Sequence, residues 1–371
     1  MTPIPLKYNE LMPRVAIESL KLIEIDALID LIGKDLEAIR CALADSPYGK
    51  QISAVPQDLF DYRFLEAALK QNYAETIRKL VKFSSGNIKK LLLAYSRKLE
   101  VSNVKTMLRA VKAQIYVDEA LKNIVPVGTL GVNRCRAILE TAKSVEDVIA
   151  ALVDFEYDKI LKHIAEEQGD IEDLTLLEVA LDKAVYREIL ETAKKLTGMD
   201  QKMAQDVIGI ELDAVNVKII LKGKELAVSP EIIRDYLMPT AFFNEEILEE
   251  AIEAANVKSM MERLSKIVEY PHPVYKKIFT QIQKESNAPL SRLEAILDKA
   301  PLEMSLSALK EHSRYYHLGF ILAFLNLKWA EMKNLLCIVK GSERKSPPSQ
   351  VRKLLTIPDE WQTSQLSCSP S

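Results

Sequence analysis

The sequence predicts an all-α protein, and three observations carry that expectation. Glycine is only 11 of 371 residues, well under the usual share of about 7%. Hydrophobic residues make up 48% of the chain, too many for a disordered one. Apolar side chains recur at i, i+3 and i+4 in several segments, the period of a helix with one buried face. A length of 371 residues allows two to three domains at about 150 residues each.

Along the chain the elements appear three times in one order. Leu65-Glu66-Ala67-Ala68-Leu69 recurs as Leu177-Glu178-Val179-Ala180-Leu181 and as Leu293-Glu294-Ala295-Ile296-Leu297, at offsets of 112 and 116. In each copy the two leucines lie i, i+4 and share a helix face. A second element follows, with Glu100 and Asn103, Asp213 and Asn216, then Glu331 and Asn334, its asparagines 113 and 118 residues apart. Acid and amide are i, i+3 neighbours, so they can bond each other or share a partner. Beside them Val104, Met107, Leu108 and Val111 form an apolar stripe, matched by Val217, Ile220 and Leu221 and by Leu335, Ile338 and Val339. A cation stands six places after each asparagine, at Arg109, Lys222 and Lys340, and a proline 23, 23 and 24 places after it, at Pro126, Pro239 and Pro358. That interval leaves room for a helix end, a turn and a short helix before the break. An upstream tyrosine joins the unit at Tyr48 and Tyr157, with Tyr270 or Tyr275 as looser counterparts. Turns are marked at Ser84-Ser85-Gly86-Asn87, Pro126-Val127-Gly128, Gly169-Asp170, Thr197-Gly198, Pro271-His272-Pro273 and Pro347-Pro348. Units of this length exceed the 34- to 47-residue repeats of helical solenoids, so each is a small multi-helix subdomain. The expected divisions are 1–130, 131–245 and 246–358, with an unstructured tail at 359–371.

Several classes of function are disfavoured. The 50 basic and 53 acidic residues leave a net charge of −3, which makes nucleic acid an unexpected partner. The longest apolar run, Leu318 to Leu325, is far short of a membrane span, and the first residues lack a secretory signal pattern, so a cytoplasmic protein is expected. Cys41, Cys135, Cys337 and Cys368 form no CxxC pair and are expected to be reduced. There is no GxxxxGK[ST] phosphate loop, and His163, His272, His312 and His317 fit no zinc motif. Neither a cofactor nor a metal is implied. The basic stretch Lys340 to Lys353 reads as a solvated loop and helix start, and Phe320, Phe324 and Trp329 as core.

Glu100, Asn103, Arg109, Asp213, Asn216, Lys222, Glu331, Asn334 and Lys340 admit two readings. They are hydrogen-bonded brackets between helices, as burial of an acid or amide demands, or contacts to a partner.

The tripled acid-x-x-Asn helix with its trailing cation, the opening Tyr8 to Val15 (YNELMPRV), and Trp329 to Leu335 (WAEMKNL) running into Lys340-Gly341 resemble the C subunit of the A-type and V-type ATP synthases, counterpart of the d subunit of the vacuolar ATPase. The resemblance spans residues 5–358. It departs from the family pattern in having Glu rather than Asp at position 100 and a Ser/Pro-containing stretch, Ser342 to Ser349. It implies three similar helical subdomains about a pseudo-threefold axis, forming a funnel. It further implies a non-catalytic central-stalk subunit, peripheral at the cytoplasmic face of the membrane. Such a protein links the proteolipid rotor ring to the central shaft and carries torque between ion translocation and ATP synthesis or hydrolysis. The rival readings are a free-standing helical scaffold and an all-helical enzyme with Glu100, Asp213 and Glu331 lining a cavity.

Overall fold

A computed structural model describes residues 8–53, 60–153, 157–168, 173–265, 270–311 and 316–358. Among them there are helices and loops and no β-strand. The tail, His312 and the Gly169-Asp170 turn lie outside the described residues. Residues 1–57 together with 197–371 make one compact unit, and residues 58–196 a second.

The first unit begins with four short helices, α1 (Leu11–Ser19), α2 (Ile25–Ile29), α3 (Leu36–Ala44) and α4 (Gly49–Ile52). The second unit holds α5 (Tyr62–Lys82), α6 (Gly86–Lys112), α7 (Val117–Leu121), α8 (Val132–Thr141), α9 (Val145–Ala151), α10 (Tyr157–Gln168) and α11 (Thr175–Lys194). The chain then returns to the first unit with α12 (Gly198–Glu225), α13 (Pro230–Tyr236), α14 (Glu245–Ile252), α15 (Val257–Ser265) and α16 (Pro273–Lys284). It finishes with α17 (Leu290–Asp298), α18 (Ala300–Glu311), α19 (Leu318–Glu343) and α20 (Pro348–Leu354).

Local chemistry sets these boundaries. Asp35, Asp61, Ser144, Ser229 and Asn244 each accept a hydrogen bond from a backbone N–H of the first turn that follows. Ser144 and Asp147 form a reciprocal capping box. The leucines of the first repeated element are buried in all three copies. That element lies on a long unbroken helix in α5 and in α11, whereas in the third copy it lies on the nine-residue α17, which a split separates from α18. Pro301 sits just past the split and has no N–H to continue the ladder.

Asn103, Asn216 and Asn334 fall at matching places on the three longest helices, α6, α12 and α19. These helices also end alike. Gln114, Ala227 and Lys345, each 11 residues past its asparagine, have φ of 51°, 52° and 52°. The next residue closes back on the helix through Ile115 N–H to Ala110 O, Val228 N–H to Gly223 O and Ser346 N–H to Gly341 O. This is the Schellman ending, whose left-handed residue is usually glycine. Glycine at each of these three places is therefore expected to stabilise the protein by about 0.5–1 kcal/mol, read as a higher denaturation midpoint.

A tight packing pair accompanies each ending. A Cβ on Gly223 would meet Ile233 Cδ1 at 2.5 Å, and one on Gly341 would meet Val351 Cγ2 at 2.6 Å. At the same ten-residue spacing, the first copy has two small buried residues, Ala110 and Ala120. Of the three aromatics expected in the third core, Phe324 is buried, Phe320 is half-buried against the His317 ring, and Trp329 is 37% exposed. On α19 Trp329 points away from the face that carries Lys328 and Glu331.

Candidate functional site

The repeated polar residues build one constellation three times. Each asparagine is buried on its long helix and grips a loop residue 22 places later. Asn103 accepts from Val125 N–H at 2.8 Å and donates to Val125 O at 2.7 Å and Leu130 O at 3.0 Å. Asn216 accepts from Met238 N–H at 2.7 Å and donates to Met238 O at 3.3 Å. Asn334 does the same with Thr356, at 2.7 and 3.0 Å. A primary amide is the one side chain that matches an N–H and a C=O of the same residue at once. The trailing proline now has a physical reason. Pro126 and Pro239 directly follow the gripped residue, hold it extended and add no N–H in need of a partner.

The acids reach in a second direction. Glu100 Oε1 accepts from Thr129 N–H at 2.6 Å, Thr129 Oγ1 at 2.9 Å and Leu130 N–H at 3.3 Å, while its Oε2 lies 3.5 Å from Tyr157 Oη. Gly128, at φ 59°, brings the backbone so close that a Cβ there would overlap the Glu100 carboxylate. Asp213 accepts from Phe243 N–H at 3.1 Å and from Tyr275 Oη at 2.6 Å. Glu331 accepts from Ile23 N–H at 2.5 Å and from Tyr48 Oη, and Lys328 Nζ lies 3.5 Å from it. Lys328 also donates to Tyr48 Oη at 3.0 Å and sits 4.4 Å over its ring. Burial pushes the Asp213 carboxyl up to about 7 and raises that of Glu331, while it lowers the Lys328 ammonium. The tyrosines Tyr48, Tyr157 and Tyr275 are raised by burial and by the acids they face. Acid and asparagine of one copy therefore do not pair with each other, although in the first copy both bind Leu130.

The trailing cations Arg109 and Lys222 are ion-paired within the chain. Arg109 holds Glu178 through Nε at 2.6 Å and Nη2 at 2.5 Å, and Lys222 holds Glu294 at 2.8 Å. Glu178 and Glu294 are the glutamates of the first repeated element in the following copy. One turn earlier Lys105 pairs with Asp182 at 2.6 Å and Lys218 with Asp298 at 2.7 Å, and Lys333 reaches Asp298 from α19 at 2.6 Å. Lys340 is exposed in the last turn of α19. At the places that correspond to Lys105 and Lys218 the third copy has Leu336. The first copy has Lys70 where the others have Asp182 and Asp298, and Lys70 pairs with Glu66 at 2.8 Å. These rungs escaped the sequence reading, although the 113-residue offset from Lys105 to Lys218 and the 116-residue offset from Asp182 to Asp298 are those of the repeat itself.

The opening segment is anchored too. Tyr8 is fully buried and donates to Asp200 Oδ1 at 2.5 Å, which also accepts from Leu318 N–H at 2.9 Å. Among the described residues no group of three or more His, Cys, Asp or Glu could hold a metal ion, and no helix is long and apolar enough to cross a membrane. Each of the three repeated carboxylates is buried in its own set of tyrosine and backbone donors.

A family model described as ATP synthase (C/AC39) subunit matches residues 14–354. The chain is 27% identical over 354 residues to an A-type ATP synthase C subunit from Methanocaldococcus jannaschii, covering 94% of this chain and 86% of that one. It is 23% identical to the C subunit of the A-type enzyme of Archaeoglobus fulgidus, covering 94% and 95%, and 24% identical to that of Methanosarcina mazei, covering 94% and 93%.

Proposed function

The chain belongs to the ATP synthase (C/AC39) subunit family, and from that premise we propose that it is a non-catalytic central-stalk subunit of an A-type ATP synthase. It stands between the proteolipid rotor ring and the central shaft and transmits torque, as a peripheral protein at the cytoplasmic face of the membrane. The match of the family model to residues 14–354 is the observation that carries this reading.

The internal chemistry supports it. An enzyme needs polar groups free to meet a substrate, but here the repeated acids and amides are consumed in bracing long helices against their loops. Stiff bracing is what a torque carrier requires, since a joint that yields stores the work instead of passing it on. Three recurrences of one bracket support three similar helical subdomains. The acids and asparagines serve as the braces, and Arg109, Lys222 and Lys340, which reach the protein surface, remain the candidate partner contacts.

The test is removal of this protein from its complex. The soluble sector without it is expected to keep hydrolysing ATP, while ATP-driven ion pumping falls to background and returns when the purified chain is added back. Undiminished pumping without the chain, or ATP hydrolysis by the chain alone, would overturn the assignment.

A further inference from the structure

In the first two copies the bracket is built from one continuous stretch. The donor to the acid comes five residues after the residue gripped by asparagine, Leu130 after Val125 and Phe243 after Met238. The tyrosine follows that donor by 27 residues at Tyr157 and by 32 at Tyr275. In the third copy the asparagine's partner is Thr356, and there the contiguous pattern stops. The donors to Glu331 are Ile23 N–H and Tyr48, themselves 25 residues apart and at the other end of the chain.

The surrounding elements fall into line with this. Helix α7 packs on α8 and α13 on α14, each linking the short helix after a long one to the next. In the third copy that short helix is α20, and a Cβ on Gly33, just after α2, would lie 3.3 Å from Pro348 Cγ of α20. Helix α3 packs on α19 as α9 packs on α6, and it buries Ile39 and Leu43. Tyr48 and Ile52 are buried as well.

We infer that the third copy is assembled from both ends of the chain: the face of α19 bearing Lys328 and Glu331 is a docking surface whose partner is the segment 23–52, and this segment opens and closes as a single latch. In the first two copies a short loop keeps the two halves of the bracket together. Here they are separated by 283 residues between Tyr48 and Glu331, so release of the latch strains no local connection.

Hydrogen exchange followed by mass spectrometry on the full chain tests this, with Tyr48→Phe as the variant and Tyr157→Phe as its control. Peptides from 25–52 and those around Glu331 are expected to exchange together in the unsubstituted protein. Tyr48→Phe should speed both by about tenfold, the loss of one hydrogen bond to a charged group, and leave peptides around Glu100 and Asp213 unchanged. Tyr157→Phe should speed exchange around Glu100 and leave 25–52 unchanged. Exchange of 25–52 at a rate unrelated to that around Glu331, or a Tyr48→Phe effect spread evenly over all three brackets, would overturn the inference.

Discussion

Alanine at Asn103, Asn216 or Asn334 is expected to destabilise the protein by about 3 kcal/mol at each position, a large part of the roughly 5–15 kcal/mol that holds a domain folded. The cost lies in what the amide leaves behind. Met238 and Thr356 would each keep a buried N–H and a buried C=O with no partner, and Val125 would keep such an N–H, although its carbonyl still accepts from Val127 N–H at 2.8 Å. Aspartate distinguishes this mechanism from simple packing loss. It keeps the shape and the acceptor, yet it turns the donor into an oxygen that faces a carbonyl, so Asn→Asp should be no milder than Asn→Ala. Urea denaturation at constant m-value reads both. A cost below about 1 kcal/mol would show that the loops are held by something else.

Stability should also fall as the pH rises from about 4 to about 7, through Asp213. In the folded protein this carboxyl is pushed up to about 7 by burial, against an ordinary value of 3.8. Between those values the folded state binds a proton that the unfolded state has lost, so raising the pH favours unfolding. Above about 7 both states are ionised and the effect levels off. The full span corresponds to about 4 kcal/mol, an order of magnitude set by 1.36 kcal/mol per unit. Glu331, raised in the same direction, adds to the slope. Asp213→Asn has no proton to lose, so the difference between the two proteins isolates the residue. A difference that is flat from pH 4 to 7, or rises with pH, would contradict the sign. In the protonated form Asp213 still accepts from Tyr275 and Phe243, so the bracket does not depend on the charge.

The legible part of this protein was whatever repeats at a fixed offset. Asparagine, acid and cation recur on helices at equal spacing, so their equivalence could be read before their contacts were known. The asparagine's 22-residue reach is also a fixed interval, and the trailing proline marked its end. Tyr270 and Tyr275 could not be told apart by spacing. The structure puts Tyr275 on Asp213, while Tyr270 donates to the Leu264 carbonyl. The pairing of Glu331 with Tyr48 was hidden for a different reason. A scan for repeats looks for intervals that recur along the chain, and the 283 residues between Tyr48 and Glu331 match neither the 57 from Glu100 to Tyr157 nor the 62 from Asp213 to Tyr275. Trp329 lies outside the core expected of it because α19 turns one face outward at that point.

The latch segment has a consequence for the birth of the protein. Tyr48 leaves the ribosome 283 residues ahead of Glu331, which at about 5–20 residues per second is roughly 15–60 s. Throughout that time Leu28, Ile39, Leu43, Tyr48 and Ile52, all buried in the finished molecule, await a helix that has not yet been made. A nascent chain in this position is a natural client for chaperones. A product cut short before α19 would leave the same residues without their seat, and such fragments should aggregate or be degraded sooner than those lacking the amino-terminal segment as well.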